Sequence, residues 1–498
     1  MYFPTIGLEI HIELKTKSKM FCSCKNDPFQ TEPNVNICPV CTGQPGSLPV
    51  INKEAIKKVV KTGLSLNCKI NQKSYFERKN YFYPDLPKGY QISQYKKPLC
   101  ENGYLDIPIY NLETKKTEFK RIRINRIHLE EDTGKLIHSP QGYTLVDLNR
   151  AGVPLMELVT EPDIHSAREA STFAKELQLI LKYLDVSDAD MEKGQMRVEV
   201  NISLMRIDDK KNNDIDSKIS ENLKKLGTKV EIKNLNSFQA VEGAIEYEIQ
   251  RQTEVLERGE KVIQETRGWD AQKGITFSQR EKEYAHDYRY FPEPDLLPFI
   301  LDDNFLEEIK KEIPELPSQK RERYKNDYSL SNEEIEIYIK NQKLANFFEK
   351  VISNKKEDQN FIHLASNYII NEFQKFLEED QNILDKNIVL PDYFYNLIEL
   401  LFKKEISSKI AKILLEEMTK NGKDPKEILI EKGLNQISES NALEEIVKNV
   451  ILENEKAVLD YKSGKENAFQ FLIGKIMEKT KGKANPEVAR EVLKKLLQ

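Results

Sequence analysis

The sequence has little cysteine and no long apolar run. Six cysteines in 498 residues are too few for a disulfide scaffold. No apolar stretch approaches the ~20 residues that a membrane-spanning helix needs. The first residues also lack the basic segment and apolar stretch of an export signal. These absences predict reduced cysteines, a cytoplasmic location and no membrane association.

The usual glycine-rich nucleotide motifs are absent as well. We find no GxxxxGK[ST] segment, no GxGxxG after a predicted strand, and no GxSxG elbow. The formal net charge is −5, from 76 Lys+Arg and 81 Asp+Glu, which excludes a uniformly basic nucleic-acid coat. If ATP binds, we expect a metal ion and basic side chains on a sheet to hold it.

Proline becomes scarce towards the C-terminus. Residues 318–498 contain three prolines, whereas five prolines lie between Pro292 and Pro317. Interior proline disrupts a helix because it lacks the N–H and clashes with the preceding turn. The segment NFIHLASNYIINEFQKFLEE also has apolar residues at helical spacing. The C-terminal part is therefore predicted to be all-helical.

The N-terminal part instead alternates apolar and polar residues with a period of two. In residues 6–14, Glu9 and His11 lie on the side opposite a row of apolar side chains. Residues 196–205 repeat this pattern, with Glu199 on the polar side. Strands with one polar face favour an antiparallel sheet. The predicted fold class is α+β, with an N-terminal antiparallel sheet followed by all-α domains.

Two closely spaced cysteine pairs form the most specific local motif, consisting of Cys22, Cys24, Cys38 and Cys41. Such pairs can supply four thiolates to a structural Zn²⁺ ion. The alternative is that these are four unrelated core cysteines. This alternative stays open because one residue, rather than the commoner two, separates the first pair. Cys68 and Cys100 are isolated in sequence, and we expect them to be small buried side chains.

The polar face of the first strand suggests a second metal site. Glu9 and His11 offer donors that suit Mg²⁺ or Mn²⁺ carrying phosphates, although a solvated edge strand would show the same pattern. Glu199 and an acidic run containing Glu130 and Glu131 could complete one charged sheet face. Alternation does not choose between Glu130 and Glu131. Such a face suits metal-assisted nucleotide chemistry.

Several short segments combine basic, amide and aromatic side chains. A cleft that handles phosphates and bases needs such groups, although each segment also suits an ordinary turn. Residues 462–498 hold nine Lys+Arg against four Asp+Glu, so this tail could contact a phosphate backbone or form a solvated helix face. The candidate substrate- and ATP-binding residues are Arg78, Lys79, Tyr81, Asn149, Arg150, Lys233, Asn234, Asn236, Arg267 and Arg289.

Eight motifs in order resemble the B subunit of the tRNA-dependent amidotransferase. They are IGLEIHIEL at 6–14, ERKNYFYPDLPKGYQISQY at 77–95, HLEEDTGK at 128–135, VDLNRAGVPLMELVTEPDI at 146–164, RVEVNISL at 197–204, KNLNSF at 233–238, QETRGWD at 264–270 and DYRYFPEPDL at 287–296. The resemblance extends over essentially the whole chain, including YKSGKENAFQFLIGKIM at 461–477.

The resemblance implies a ligase that forms a carbon–nitrogen bond with glutamine as the amido donor. ATP would phosphorylate the side-chain carboxylate of glutamate on tRNA(Gln), of aspartate on tRNA(Asn), or of both. Ammonia from a partner glutaminase would then displace the phosphate. The implied partners are the glutaminase (amidase) and the small third member of the same heterotrimeric complex, together with a mischarged tRNA.

The resemblance also implies a domain organisation. Residues 1–295 would form a catalytic cradle domain related to glutamine synthetase, with a zinc knuckle at 22–41. Residues 296–404 would form a helical domain, and residues 405–498 a helical tail domain that binds tRNA. The polar segment 208–222 is longer than the usual connection in the family and is expected to be a local insertion.

Position by position, the resemblance implies which residues act. Glu9, His11 and Glu131 match the magnesium site and would be the catalytic residues. Glu199 would be a fourth ligand of the magnesium ion; it stands where many members have aspartate, so its carboxylate reaches further by one methylene. The four cysteines match those members that keep a zinc knuckle.

Two other functions remain open on the sequence. One is a tRNA-binding factor with structural zinc that does no chemistry, against which the carboxylate face argues. The other is a standalone amidotransferase that hydrolyses glutamine itself. That function needs a nucleophile, and neither Cys68 nor Cys100 lies in a suggestive segment.

Overall fold

The computed structural model describes residues 2–29, 32–111, 114, 116–206, 226–281, 288–380, 382–434, 440–480, 484 and 486–497. The chain divides into two compact units, Met1–Leu316 and Pro317–Gln498. The segment 208–222, predicted to be an insertion, lies outside the described residues. In the ranges just given, every helix falls short of the length and apolar character needed to cross a membrane.

Strands dominate the described part of the first unit. They are β1 Tyr2–Glu13, β2 Lys69–Ile70, β3 Lys73–Ser74, β4 Glu77–Asn80, β5 Tyr90–Ser93, β6 Cys100–Asn111, β7 Lys116–Glu131, β8 Lys135–His138, β9 Thr144–Asp147, β10 Pro154–Thr160, β11 Met196–Arg206, β12 Val230–Leu235, β13 Glu265–Asp270, β14 Ile275–Glu281, β15 Phe291–Pro292 and β16 Phe299–Ile300. The helices in the described part of this unit are α1 Lys53–Ser65, α2 Ala167–Tyr183, α3 Phe238–Glu257 and α4 Asp303–Lys311.

Nine of these strands form one sheet in the order β14-β13-β12-β11-β1-β10-β7-β6-β2. Neighbours run antiparallel, as predicted, except for β12 and β13, which are parallel. Parallel neighbours need a long crossover connection. Helix α3 lies between these two strands in the chain and supplies it. The N-terminal half of the predicted α+β fold is therefore confirmed.

The two faces of this sheet differ because its central strands alternate in polarity. On β1, the apolar residues from Ile6 to Ile12 are at most 1% exposed and belong to the core of the unit. Apolar positions of α2 and α3 belong to the same core. Both helices begin after a serine, Ser166 and Ser237, whose hydroxyl accepts a backbone N–H of the first turn. The helices therefore cover the apolar face and leave the other face for polar groups.

The second unit is helical in its described part, as predicted. Its helices are α5 Pro317–Tyr328, α6 Asn332–Lys340, α7 Gln342–Val351, α8 Gln359–Tyr368, a π-helical turn Ile369–Phe373, α9 Gln374–Glu379, α10 Pro391–Phe402, α11 Ser408–Asn421, α12 Pro425–Glu431, α13 Ser440–Glu453, α14 Glu455–Lys462, α15 Glu466–Lys479 and α16 Pro486–Leu497. Pro391, Pro425 and Pro486 each begin a helix, where the missing N–H costs nothing.

The residues around the proposed domain boundary pack with the first unit. Leu296, Leu301 and Ile309 are buried in its core, and β16 pairs with β3. In the second unit, part of the tail has a core of its own, which includes Leu443, Val447 and Leu472. The division into three domains at 295 and 404 stays a prediction.

Candidate active site and cysteine cluster

One row of ionisable side chains crosses the polar face of the sheet. His11 on β1 lies opposite Glu157 on β10, and Glu157 lies opposite His128 on β7. On the other side of β1, Arg197 on β11 faces His11. Directly opposed residues on one sheet face have their Cβ atoms ~4.5–5.5 Å apart. The strand register therefore brings side chains that are far apart in sequence into contact.

Glu157 is the centre of this row. Its Oε2 lies 3.4 Å from Nε2 of His11 and 3.3 Å from Nε2 of His128. The ligand atoms of Glu9, His11 and Glu157 all lie within 4.8 Å of one another, as do those of His128, Glu130 and Glu157. These two overlapping groups offer carboxylate oxygens and imidazole nitrogens, which suit a divalent cation.

The charges of the row depend on one another. Burial raises the pKa of Glu157, but His128 and His11 outweigh it and hold that pKa well below its usual value. Burial alone would lower the pKa of His128, but Glu157 and Glu130 outweigh it and raise this pKa to about 9. For Glu9, burial and the nearby Glu157 raise the pKa. The row is therefore a connected network of buried and partly buried charges.

Two lysines that were predicted to bind substrate or ATP, Lys79 and Lys233, flank this network. Nζ of Lys233 lies 3.0 and 2.9 Å from the two carboxylate oxygens of Glu199. Burial would lower the pKa of Lys79, but the surrounding groups, with Glu130 the foremost and Glu157 among them, raise it. Both ammonium groups are therefore charged beside the carboxylates, where they can offset additional negative charge.

The structure separates the two glutamates that alternation could not distinguish. Glu130 belongs to the row and accepts a hydrogen bond from Gln91 at 3.0 Å. Glu131 forms an ion pair with Lys88 and accepts a hydrogen bond from the backbone N–H of Ile92 at 2.9 Å. Glu131 therefore belongs to neither group of potential metal ligands, although it directly follows Glu130 on β7.

Two of the predicted binding arginines form ion pairs with buried carboxylates. Arg78 contacts both carboxylate oxygens of Glu293, at 2.7 and 2.8 Å. Arg267 lies 2.6 Å from Glu265 and 3.0 Å from the fully buried Glu248. Both guanidinium groups are already occupied by partners outside the row, which suggests that they stabilise the fold.

Two further predicted residues hold backbone groups in place. The amide of Asn149 accepts from the N–H of Asn36 at 2.9 Å and donates to the carbonyl of Glu32 at 2.7 Å. Arg150 donates to the carbonyl of Gly134 at 2.7 Å, just after the end of β7. These contacts connect the turn after β9 to the cysteine loop on one side and to β7 on the other.

The remaining predicted residues are less closely tied to the row. Tyr81 reaches it indirectly, because its hydroxyl donates to Gln91 at 3.2 Å. Asn234 is exposed near the end of β12, Asn236 is exposed just after it, and Arg289 is exposed before β15. Asn234 and Arg289 have positive φ angles of 63° and 42°.

Sequence reasoning missed Glu157 and assigned no role to His128. Glu157 is the one charged residue in PLMELVT, the apolar run that becomes β10. A charge in a strand buried on both faces needs a partner or a ligand, and this was the available signal. Its partners could not be read from the sequence because they depend on the register of β1, β10 and β7.

The four cysteines of the predicted knuckle come together. All are free thiols, and their sulfur atoms lie within 4.8 Å of one another. The sulfurs of Cys38 and Cys41 are 3.8 Å apart, close to the ~3.8 Å edge of a tetrahedron with ~2.3 Å metal–sulfur bonds. A hydrogen bond from Cys22, opposed by burial and aided by Lys19, lowers the pKa of Cys41 to about 5. The cluster could therefore bind a metal ion.

Known proteins resemble the chain over both units. A family model described as "GatB/GatE catalytic domain" matches residues 4–307, and one described as "GatB domain" matches residues 346–497. A protein of Persephonella marina is 49% identical over 494 residues, which is 99% of either chain. Proteins of Caldicellulosiruptor saccharolyticus and Thermotoga maritima are 50% and 48% identical, over 100% of this chain and 99% of their own length.

All three relatives carry the same name, which describes the B subunit of an aspartyl/glutamyl-tRNA(Asn/Gln) amidotransferase. Both the matched ranges and the identities extend far beyond any single motif. The resemblance of the eight sequence motifs is therefore confirmed. The chain belongs to the family of B subunits of the tRNA-dependent amidotransferase.

Proposed function

We propose that this protein uses ATP to activate the side-chain carboxylate of glutamate on tRNA(Gln), of aspartate on tRNA(Asn), or of both. The observation that carries the proposal is the partly buried row of His11, Glu157 and His128, with Glu9 beside it and with Lys79 and Lys233 flanking it. Phosphoryl transfer depends mainly on positioning and charge compensation, and this row supplies both kinds of group without a glycine-rich loop.

The proposed reaction has two steps. A carboxylate oxygen of the aminoacyl side chain attacks the γ-phosphorus of ATP, so that an acyl phosphate forms and ADP leaves. The nitrogen of ammonia then attacks the acyl carbon, the carbon–oxygen bond to phosphate breaks, and a proton is released from nitrogen. Lys79 and Lys233 would offset negative charge on the transferring phosphoryl group and on the departing phosphate.

The row also has the donors for a magnesium ion. Glu9, His11 and Glu157 would hold the ion, because their ligand atoms lie within 4.8 Å of one another. Glu131 and Glu199, which the family resemblance assigns to the same site, are at present engaged by Lys88 and Lys233. Bound Mg²⁺ would supply charge neutralisation and alignment of the ATP phosphates.

The cysteine cluster would hold a structural zinc ion. Four thiols within 4.8 Å of one another, with one pair at the edge length of a zinc–thiolate tetrahedron, match a closed Cys₄ site, which has no open position for substrate. Zinc would therefore stabilise the loop 22–41, and we assign it no part in the chemical steps. Asn149 contacts this loop. Zinc binding would therefore also help to hold the turn that carries Arg150.

We further propose that the protein works in a heterotrimeric complex. A glutaminase (amidase) partner would provide ammonia, a small third protein would complete the assembly, and residues 405–498 would bind the mischarged tRNA. The local surplus of basic residues at 462–498 supports contact with the tRNA backbone. A cytoplasmic location suits a reaction that supplies aminoacyl-tRNA to translation.

The proposal is tested in the reconstituted complex by substituting Glu9, which belongs to a group of potential metal ligands, and Glu131, which the family resemblance assigns to the magnesium site. With ammonium chloride in place of glutamine, Glu9→Gln and Glu131→Gln should lower ATP-dependent amidation of mischarged tRNA by at least ~10–100-fold. Glutamine hydrolysis by the complex should persist, because that chemistry belongs to the glutaminase partner. Glu192→Gln, which removes an exposed carboxylate, is the matched control. Near wild-type amidation in both variants at low Mg²⁺ would contradict the metal-site assignment.

The alternative functions predict different results. A non-catalytic tRNA-binding factor would not cleave ATP when mischarged tRNA and ammonia are supplied. A standalone glutamine-hydrolysing enzyme would release ammonia without the glutaminase partner. Two candidate nucleophiles suit this last function poorly, because burial raises the pKa of Cys68 to about 12 and that of Cys100 well above its usual value.

A further inference from the structure

A buried lysine stands beside the cysteine cluster. Lys19 is fully buried, although a lysine ammonium is strongly hydrated and is seldom buried without a partner. Its backbone is fixed at both ends, since its N–H donates to the carbonyl of Cys24 at 3.0 Å and its carbonyl accepts from Asn52 at 3.1 Å. Two hydrogen bonds of its backbone therefore hold Lys19 in this position.

The side chain of Lys19 points at a cysteine sulfur. Its Nζ lies 3.8 Å from Sγ of Cys41 and 3.4 Å from the backbone carbonyl of Leu148. An N–H donor at that distance from sulfur makes a hydrogen bond that is strongest when the sulfur is a thiolate. The ammonium group therefore lies between the cysteine cluster and the turn that follows β9.

Charge explains why a cation is needed there. Four thiolates around one divalent zinc ion carry two net negative charges, and Cys41 is itself buried. Buried charge is tolerated only when it is paired and hydrogen-bonded. Lys19 supplies one positive charge and one donor directly at a ligand atom.

The same lysine lies against the turn that contains Asn149 and Arg150. The N–H of Met20 donates to the carbonyl of Gly152 at 2.7 Å, so the backbone next to Lys19 is bonded to the end of this turn. Gly152 has a φ of +83°, and a Cβ there would lie 3.3 Å from Cβ of Cys41 and 3.6 Å from Cδ of Lys19. The absent side chain allows the turn to approach the cluster closely.

We propose that Lys19 is a positioning residue for the metal-loaded cysteine cluster: it compensates the charge of the zinc thiolates and joins the cluster to the 148–152 turn. This role goes beyond binding of zinc by the four cysteines, and it does not depend on the proposed tRNA reaction. Groups that support metal ligands in this way typically contribute ~10–100-fold to metal affinity.

The test measures zinc retention by the full-length chain. Lys19→Gln and Lys19→Met should release zinc to a chromogenic chelator at least ~10-fold faster than the wild type. Lys19→Arg keeps the charge and a donor and should restore much of the retention. The matched control is Lys25→Gln, which removes an exposed lysine that follows Cys24 and pairs with Asp27 at 2.6 Å. This control should release zinc at the wild-type rate.

A spectroscopic readout separates this role from a general loss of stability. With Co²⁺ in place of zinc, the thiolate-to-metal charge-transfer band should move to lower energy in Lys19→Met, because an unbonded thiolate is a better electron donor. Folding of each variant is checked by circular dichroism before metal is measured. Unchanged zinc release with an unshifted band, equal acceleration in Lys25→Gln, or a wild-type chain that binds no zinc would each overturn the proposal.

Discussion

The structure makes its most specific prediction for the effect of Glu157→Gln on the free energy of unfolding. The charge of Glu157 is the largest electrostatic cause of the raised pKa of His128, which is about 9 against an ordinary value of 6.5. A group whose pKa rises on folding contributes stability that is fully present below its unfolded pKa and is lost as the pH rises through its folded pKa. At ~1.36 kcal/mol per pKa unit, protonated His128 contributes about 2–3 kcal/mol at pH 7 and almost nothing at pH 9.5.

Glu157→Gln should therefore lower the free energy of unfolding by most of this amount at pH 7 and by little at pH 9.5. The measurement is urea unfolding in magnesium-free buffer with zinc retained, followed by the fluorescence of Trp269. This residue is the only tryptophan of the chain and lies on β13 of the first unit. Glu192→Gln serves as the control. An equal loss at both pH values, or no loss at pH 7, would refute the pairing of Glu157 with His128.

Three further perturbations test other parts of the structure. Cys38→Ala should abolish zinc binding, seen by metal analysis, and should destabilise the first unit; full zinc content would contradict the cluster. Deleting 440–498 removes a separate core and should raise the KM for mischarged tRNA while ATP binding stays normal. Arg267→Met should lower the free energy of unfolding by about 1.5–3 kcal/mol, because it removes one of the two arginines that pair with the buried Glu248 and leaves Arg251 as the other. Normal stability with a raised KM for ATP would instead indicate that Arg267 contacts substrate.

Local sequence patterns were sufficient to predict the α+β fold class. The period of two around Glu9 and His11 reflects one buried and one polar face of β1, and that pattern survives whatever the strand's neighbours are. The scarcity of proline after 317 likewise predicts helices, and Pro391, Pro425 and Pro486 lie where a helix tolerates them. The cysteine cluster was predictable for the same reason, since its ligands come from one short loop.

The composition of the charged row at the candidate site depended on tertiary structure. His11, Glu157 and His128 meet because β10 lies between β1 and β7 in a particular register, and no pattern within one strand specifies that register. The same applies to Lys233, which reaches Glu199 from another strand. Contacts between distant segments are therefore decided by how the strands pair.

Tertiary structure also decided which charged residues already have an ion-pair partner. From sequence, Arg78 and Arg267 look like phosphate-binding groups, because an arginine is equally suited to a phosphate and to a carboxylate. Their carboxylate partners, Glu293 and Glu248, approach only in the folded chain. The sequence by itself determined the α+β fold class, the cysteine cluster and the family, because these rest on local patterns and ordered motifs. The folded chain decided which charges face one another, because that depends on distances between segments far apart in sequence.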